Sequence, residues 1–138
     1  MKKTVYDCAV IELDRHPSER LGNLSVVQSG DTVPFDVKRV FFIYDVPGGE
    51  SRGGHAHRAI KEFIVAASGS FTVTLDDGEC RRTVLLNHPY RGLVVEPGIW
   101  LTLEDFSSGA IALVLTSDHF SHKDHIKDYG EFKRLRDS

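Results

Sequence analysis

Cysteine is scarce in this chain of 138 residues, and the two present, Cys8 and Cys80, lie 72 positions apart. That excludes a disulfide framework and a zinc-ligand pair read from spacing. Two reduced thiols, buried or half-buried, in a cytoplasmic protein are expected instead. Long apolar runs are missing too: none approaches the roughly 20 residues of a membrane span, so no membrane partner is expected. No excess of positive charge is present. The net charge is -3 and the pI is near 6.1, which argues against nucleic acid as a partner. The opening Met1-Lys2-Lys3-Thr4, with Asp7 and Glu12 close behind, lacks the apolar core of a secretory leader. There is no internal repeat, low-complexity tract or linker, and the length fits one domain over 1–138.

What the chain does have is strand pattern. Val5 to Leu13, Leu24 to Gln28 and Val37 to Tyr44 are rich in β-branched and aromatic residues. Turn-forming stretches separate them: His16-Pro17-Ser18, Ser29-Gly30-Asp31 and Pro47-Gly48-Gly49. Ser70 to Leu75 alternates cleanly, with Phe71, Val73 and Leu75 on one face. Asp76-Asp77-Gly78 reads as a tight turn into Cys80 to Leu86. Gly92 to Glu96, Ile99 to Glu104 and Ala110 to Thr116 add three further strands. Only the end changes period. Ile126, Tyr129, Phe132 and Leu135 recur every three residues among charges, which predicts a short amphipathic helix over about 122–136. Many short strands with one late helix predict an all-β sandwich or barrel.

One stretch carries chemistry. From Gly49 it runs five residues to His55-Ala56-His57, four more to Glu62 and six more to Gly69. Side chains at i and i+2 of a strand leave on the same face, so His55 and His57 project together. Glu62 follows on the next strand and can approach them. Histidine titrates near neutral pH and suits proton transfer. The five others, His16, His88, His119, His122 and His125, fall in turns or the tail and are expected at the surface.

The spacing from Gly49 to Gly69 resembles the first motif of the cupin superfamily, which implies a jelly-roll barrel. The second motif is matched at Gly92, Pro97, Gly98 and Trp100, but Leu101 stands where metal-binding cupins carry their last histidine. A ligand set of His55, His57 and Glu62 alone remains open on chemistry; the expectation is no functional metal.

A closer resemblance is to the nucleotide-sugar 3,4-ketoisomerases, carried by Arg52-Gly53-Gly54-His55-Ala56-His57-Arg58, which is similar to their R-G-x-H-A-H segment. Lys38-Arg39-Val40 before an aromatic strand resembles K-R-V-Y-Y. Leu75-Asp76-Asp77-Gly78, and Asp105-Phe106-Ser107 after Trp100, extend the likeness. So does the ending, with Leu115-Thr116-Ser117, Asp124, Ile126, Tyr129 and Phe132. Arg20 to Leu24 is similar to a weaker N-terminal R-G-x-L element. The likeness spans roughly residues 20 to 135. It implies migration of a carbonyl from C4 to C3 in a dTDP-linked 4-keto-6-deoxyhexose, without a cofactor. His57 would carry the proton and His55 would be its partner. Arg39, Arg52 and Arg20 are candidates for the diphosphate, Tyr44 or Arg52 for the enediolate, and Trp100 for stacking. Glu62 would strengthen a base or anchor a ring. Members of the family are homodimers.

The chain departs from the pattern at Leu101 and at Phe41-Phe42, where tyrosine hydroxyls are missing. The alternatives left open are a non-catalytic nucleotide-sugar-binding cupin, a 3,5-epimerase and a metal-dependent cupin enzyme.

Overall fold

The computed structural model describes residues 2–138. In chain order the first strands are β1 (Val10–Glu12), β2 (Arg15–Ser18), β3 (Gly22–Ser25), β4 (Arg39–Ile43), β5 (Arg52–His57) and β6 (Glu62–Ser68). There follow β7 (Phe71–Asp76), β8 (Arg81–Leu86), β9 (Arg91–Val95), β10 (Trp100–Glu104), β11 (Ile111–Thr116), β12 (His125–Ile126) and the helix α1 (Tyr129–Asp137). Two five-stranded antiparallel sheets result, ordered β1-β9-β6-β11-β4 and β12-β5-β10-β7-β8, with β2 and β3 as a separate hairpin. The fold is an all-β cupin jelly roll with one C-terminal helix.

Alternation decides which residues fill the barrel. From the first sheet Ile64, Ala66, Leu93, Val95, Ala112 and Val114 point inward; from the second come Phe71, Val73, Leu75, Leu86, Leu101 and Leu103. The outer face of the first sheet is buried as well. Phe63, Val65, Val94 and Leu115 pack there with Leu13, Val33 and Phe35, which is why β6 reads as an unbroken apolar run rather than an alternating one. On the second sheet Trp100 and Ala56 lie under α1 with Phe132 and Ile126.

Four local expectations change, the first being the strand expected over Leu24 to Gln28, which is β3 and ends at Ser25. Val5 to Leu13 is not one strand. Its start is a single 3-10 turn, Val5–Asp7, closed by a capping box between Thr4 and Asp7, and β1 begins only at Val10. His16-Pro17-Ser18 is not a turn but most of β2, an exposed hairpin strand where proline leaves no central ladder bond unmade. The helix starts later than 122, because His125 and Ile126 pair with His57 and Ala56 of β5. It begins once Asp128 caps it by accepting the Glu131 backbone N–H at 3.0 Å.

Candidate active site

β5 does not run straight into the barrel. Gly53 and Gly54 hold φ of +99° and +68°, a region that glycine enters without steric penalty. On β10, Leu101 faces His55 while its neighbour Thr102 faces Gly53, so Gly54 is the extra residue of a β-bulge. A side chain at Gly53 would sit 3.1 Å from the Leu101 carbonyl oxygen. Beyond the bulge, both His55 and His57 face the same cavity.

That cavity has a volume of about 370 Å³. Its floor is the barrel core itself: Phe41, Ile43, Ile64, Leu101, Leu103 and Val114. Its polar wall is Arg39, Ser51, Arg52, His55, His57, Glu62 and His125. Across the β12–β5 pairing His125 is the direct partner of His57. The three imidazoles form a cluster, with ring centroids 5.1 Å apart for His55 and His57, 4.8 Å for His55 and His125, and 5.3 Å for His57 and His125.

Two carboxylates position these rings. Buried Glu62 sets Oε1 3.4 Å from His55 Nε2 and 3.8 Å from His57 Nε2. On the other side His57 Nδ1–H donates to Asp124 Oδ2 at 2.8 Å. Asp124 is itself fixed, its Oδ1 accepting the Ala59 backbone N–H at 2.7 Å. A carboxylate on Nδ1 selects the tautomer and aims Nε2, here toward the cavity and Glu62.

His125 is held differently. Its Nδ1 is sealed from solvent and has no hydrogen-bond partner among the described residues. Its pKa falls from 6.5 to about 4, first through burial and then through His55, His57 and Lys127, with Glu62 pulling weakly the other way. At neutral pH the ring is therefore uncharged.

Metal-capable nitrogens of His55, His57 and His125 lie within 4.8 Å of one another. A tetrahedral ion with bonds of about 2.0–2.1 Å draws its nitrogens to about 3.3 Å. Asp124 already holds Nδ1 of His57, and Leu101, facing His55 from β10, brings a methyl-ended chain to the cavity instead of a donor.

Six of the residues singled out in the sequence take two different places. Arg39, Arg52 and Glu62 line the cavity with the histidine pair; Tyr44, Trp100 and Arg20 do not. Strand alternation sends Phe41 and Ile43 inward, so Phe42 and Tyr44 stack on each other at the surface, centroids 5.7 Å apart. For the same reason inward Leu101 turns its neighbour Trp100 outward, against Tyr129 and Phe132 of α1. Arg20 is exposed in the link between β2 and β3, outside the cavity wall. His125 overturns the surface expectation made for it, because β12 carries it against β5. Asp124, noted in the sequence only as part of the ending, is the partner of His57. The alternation of Asp124, His125 and Ile126 was the one local signal, and two residues of strand are too short for it to speak.

Comparisons with known proteins identify the family and the fold. Residues 6–137 match the family described as FdtA: WxcM-like, C-terminal. A TDP-4-oxo-6-deoxy-alpha-D-glucose-3,4-oxoisomerase of Aneurinibacillus thermoaerophilus is 39% identical over 113 residues, covering 82% of this chain and 81% of that protein. The crystal structure of a 3,4-ketoisomerase from Helicobacter canadensis superposes with a TM-score of 0.92 at 32% identity, covering 96% of this chain and 98% of that one. A variant of the 3,4-ketoisomerase QdtA from Thermoanaerobacterium thermosaccharolyticum, solved with TDP-4-keto-6-deoxyglucose, gives 0.93 at 27% identity, covering 96% of each chain. The chain thus belongs to the WxcM-like family of nucleotide-sugar 3,4-ketoisomerases.

Proposed function

We infer that this protein is an isomerase that moves the carbonyl of a dTDP-linked 4-keto-6-deoxyhexose from C4 to C3, in deoxysugar biosynthesis. The observation that carries the reading is His57, buried in the cavity and held through Nδ1 by Asp124. A hydrogen on C3 is acidified by the adjacent ketone. His57 Nε2 removes it, and the enediolate that forms is reprotonated at C4 by the same ring. C3 is thereby oxidised from alcohol to ketone and C4 reduced, so the reaction balances without an outside electron acceptor. Asp124 stabilises the imidazolium of the intermediate and keeps the ring aimed.

His55, tied to Glu62, is the partner of His57 and orients the sugar. Arg39 and Arg52 take the diphosphate. Guanidinium binds oxyanions bidentately and never loses its charge. Arg39 is braced for this, its guanidinium 4.7 Å from the Phe41 ring centroid and 5.3 Å from that of Phe120. The apolar floor of the cavity excludes water from the enediolate and so strengthens each donor that faces it.

A homodimer accounts for the remaining surface. Val40 and Phe42 are exposed on β4, an edge strand, with Tyr44 exposed just after it, and Leu21 and Leu24 are exposed on the β2–β3 hairpin. Apolar patches of this kind on an open edge favour association. One domain of this type, working in the cytoplasm where Cys8 and Cys80 stay free, completes the reading. Among the described residues no helix is long and apolar enough to cross a membrane.

The test is to incubate chelator-treated protein with dTDP-4-keto-6-deoxyglucose in deuterated buffer and follow the sugar by NMR, with His57→Asn as control. Migration to C3 with deuterium incorporated, lost in the variant, is the expected result. Sugar-nucleotide binding without migration would make the protein a binding cupin instead.

A further inference from the structure

Moving a carbonyl one carbon along a hexose requires four proton movements, not two. Bonds C3–H and O3–H break, while C4–H and O4–H form. A single imidazole that carries hydrogen between the carbons leaves the oxygens unserved. The second carrier must donate to O4 and then accept from O3, so it needs a donor and an acceptor in one group.

Few side chains of the cavity wall meet that requirement, and of these Ser51, ahead of β5, is exposed to solvent, away from the histidine cluster. Arg39 and Arg52 are donors only. An ionised Glu62 is an acceptor only, and it already lies 3.4 Å from His55 Nε2. His57 is committed to Asp124 through Nδ1. Of the three cavity imidazoles His125 alone makes no side-chain hydrogen bond among the described residues, and its ring lies about as close to His55 and to His57 as those two lie to each other. It also stands on the other flank of β5 from Leu101. Strand β5 runs between β10 and β12, so the imidazole missing from one neighbouring strand has a counterpart on the other.

We propose that His125 is a second catalytic residue, which carries the proton from O3 to O4 while His57 carries hydrogen from C3 to C4. The inference rests on the ketoisomerase reading above. With Nδ1 sealed, the working atom is Nε2: as the C3–H bond breaks toward His57, the Nε2–H of His125 gives its proton to the ketone oxygen O4. As C4–H forms, the ring takes the proton of O3–H and is restored, with C3 now the ketone. An uncharged imidazole suits the task, because its N–H polarises a carbonyl oxygen without becoming a fixed cation beside the base. Burial and two imidazole neighbours keep His125 in that form at neutral pH.

The experiment compares wild type, His125→Gln and His125→Phe on dTDP-4-keto-6-deoxyglucose in deuterated buffer. It reads carbonyl migration and deuterium exchange at C3 separately. His125→Phe keeps a flat ring beside Phe120, whose centroid is 5.5 Å away, so packing is retained; the glutamine variant covers the case in which it does not fold. The expected result is a kcat for migration lower by about 10²–10⁴-fold, the range of general acid–base catalysis, with KM changed by no more than about threefold. Exchange at C3, which needs only the enolate, should fall at least about tenfold less than migration. Migration near the wild-type rate in either variant overturns the proposal, and so does an equal loss of exchange and migration. Failure of wild type itself to move the carbonyl strikes the ketoisomerase reading rather than the role of His125.

Discussion

Two corners of this barrel each draw a titratable group away from water, Asp77 buried and His125 half-buried, and they treat it in opposite ways. At the turn after β7, Asp77 accepts backbone N–H groups from Val5 at 3.0 Å, Glu79 at 2.9 Å and Cys80 at 2.8 Å. Burial alone would raise this carboxyl, but the three N–H donors and the charge of Arg136 outweigh it and hold it below its usual range. In the cavity, His125 has an unpartnered Nδ1, and burial acts on it with nothing to offset it but a weak pull from Glu62. The first group has spent its hydrogen-bonding capacity on tying the N-terminal turn to the β7–β8 hairpin. The second keeps its capacity free. A polar group fully satisfied by backbone stabilises the fold; an imidazole that lines a cavity and spends no side-chain hydrogen bond on the protein leaves its accessible nitrogen to a substrate.

The largest test of that contrast is at His57. His57→Asn should lower carbonyl migration by about 10³-fold or more, and Asp124→Asn by about 10–10³-fold, each measured as kcat by NMR with folding intact. Next comes the bulge. Gly53→Ala places a Cβ 3.1 Å from the Leu101 carbonyl at a φ of +99°, costing about 1–3 kcal/mol in stability. It should also lower kcat, because it disturbs the segment that aims both histidines. Urea midpoints and kinetics on the same preparation separate the two effects. At the other corner, Asp77→Ala strands three N–H groups and should cost about 1–3 kcal/mol. Its kcat should stay within about twofold of wild type, since it only unties a scaffold. A large loss of kcat in Asp77→Ala would erase the distinction between the corners.

The smallest effect is in acid. A carboxyl depressed by folding contributes stability that is present above its unfolded value of about 3.9 and is lost as pH falls through the folded value. For Asp77 the loss therefore lies below pH 4. A histidine depressed by folding, with a value of about 4 for His125, also stabilises the native state least in acid. Its loss begins as pH falls through its unfolded value of about 6.5 and is complete near 4. Urea titrations from pH 7 to 3 should show both limbs. His125→Phe should flatten only the upper one, and Asp77→Asn only the lower.

Much of the barrel was legible because its strands state their two faces locally. Phe71, Val73 and Leu75 alternate with threonines, and the structure keeps that division. The histidine pair was legible for the same reason: two residues on a strand share a face whatever lies opposite. Tyr44 and Trp100 were placed in the pocket because residue type suggested chemistry. Alternation from Phe41 and from Leu101 already argued that both point away. Gly92 shows a different kind of hidden constraint. A Cβ there would run into the Phe63 ring, so a glycine that reads as part of a motif is in fact a packing requirement between β9 and β6.

By itself, then, the chain determined the period of its strands, the tight turn at Asp77-Gly78, the paired histidines and the family pattern that implies their chemistry. These depend on neighbours in sequence, and backbone geometry enforces them without reference to the rest of the molecule. Only the tertiary structure decided that a two-residue strand near the end of the chain would lie beside β5. That pairing crosses 67 residues between His57 and Asp124, and no local rule encodes it. It brought Asp124 to His57 and turned a tail histidine into the third imidazole of the site, because the hydrogen bonds that hold β12 exist only once the barrel has closed.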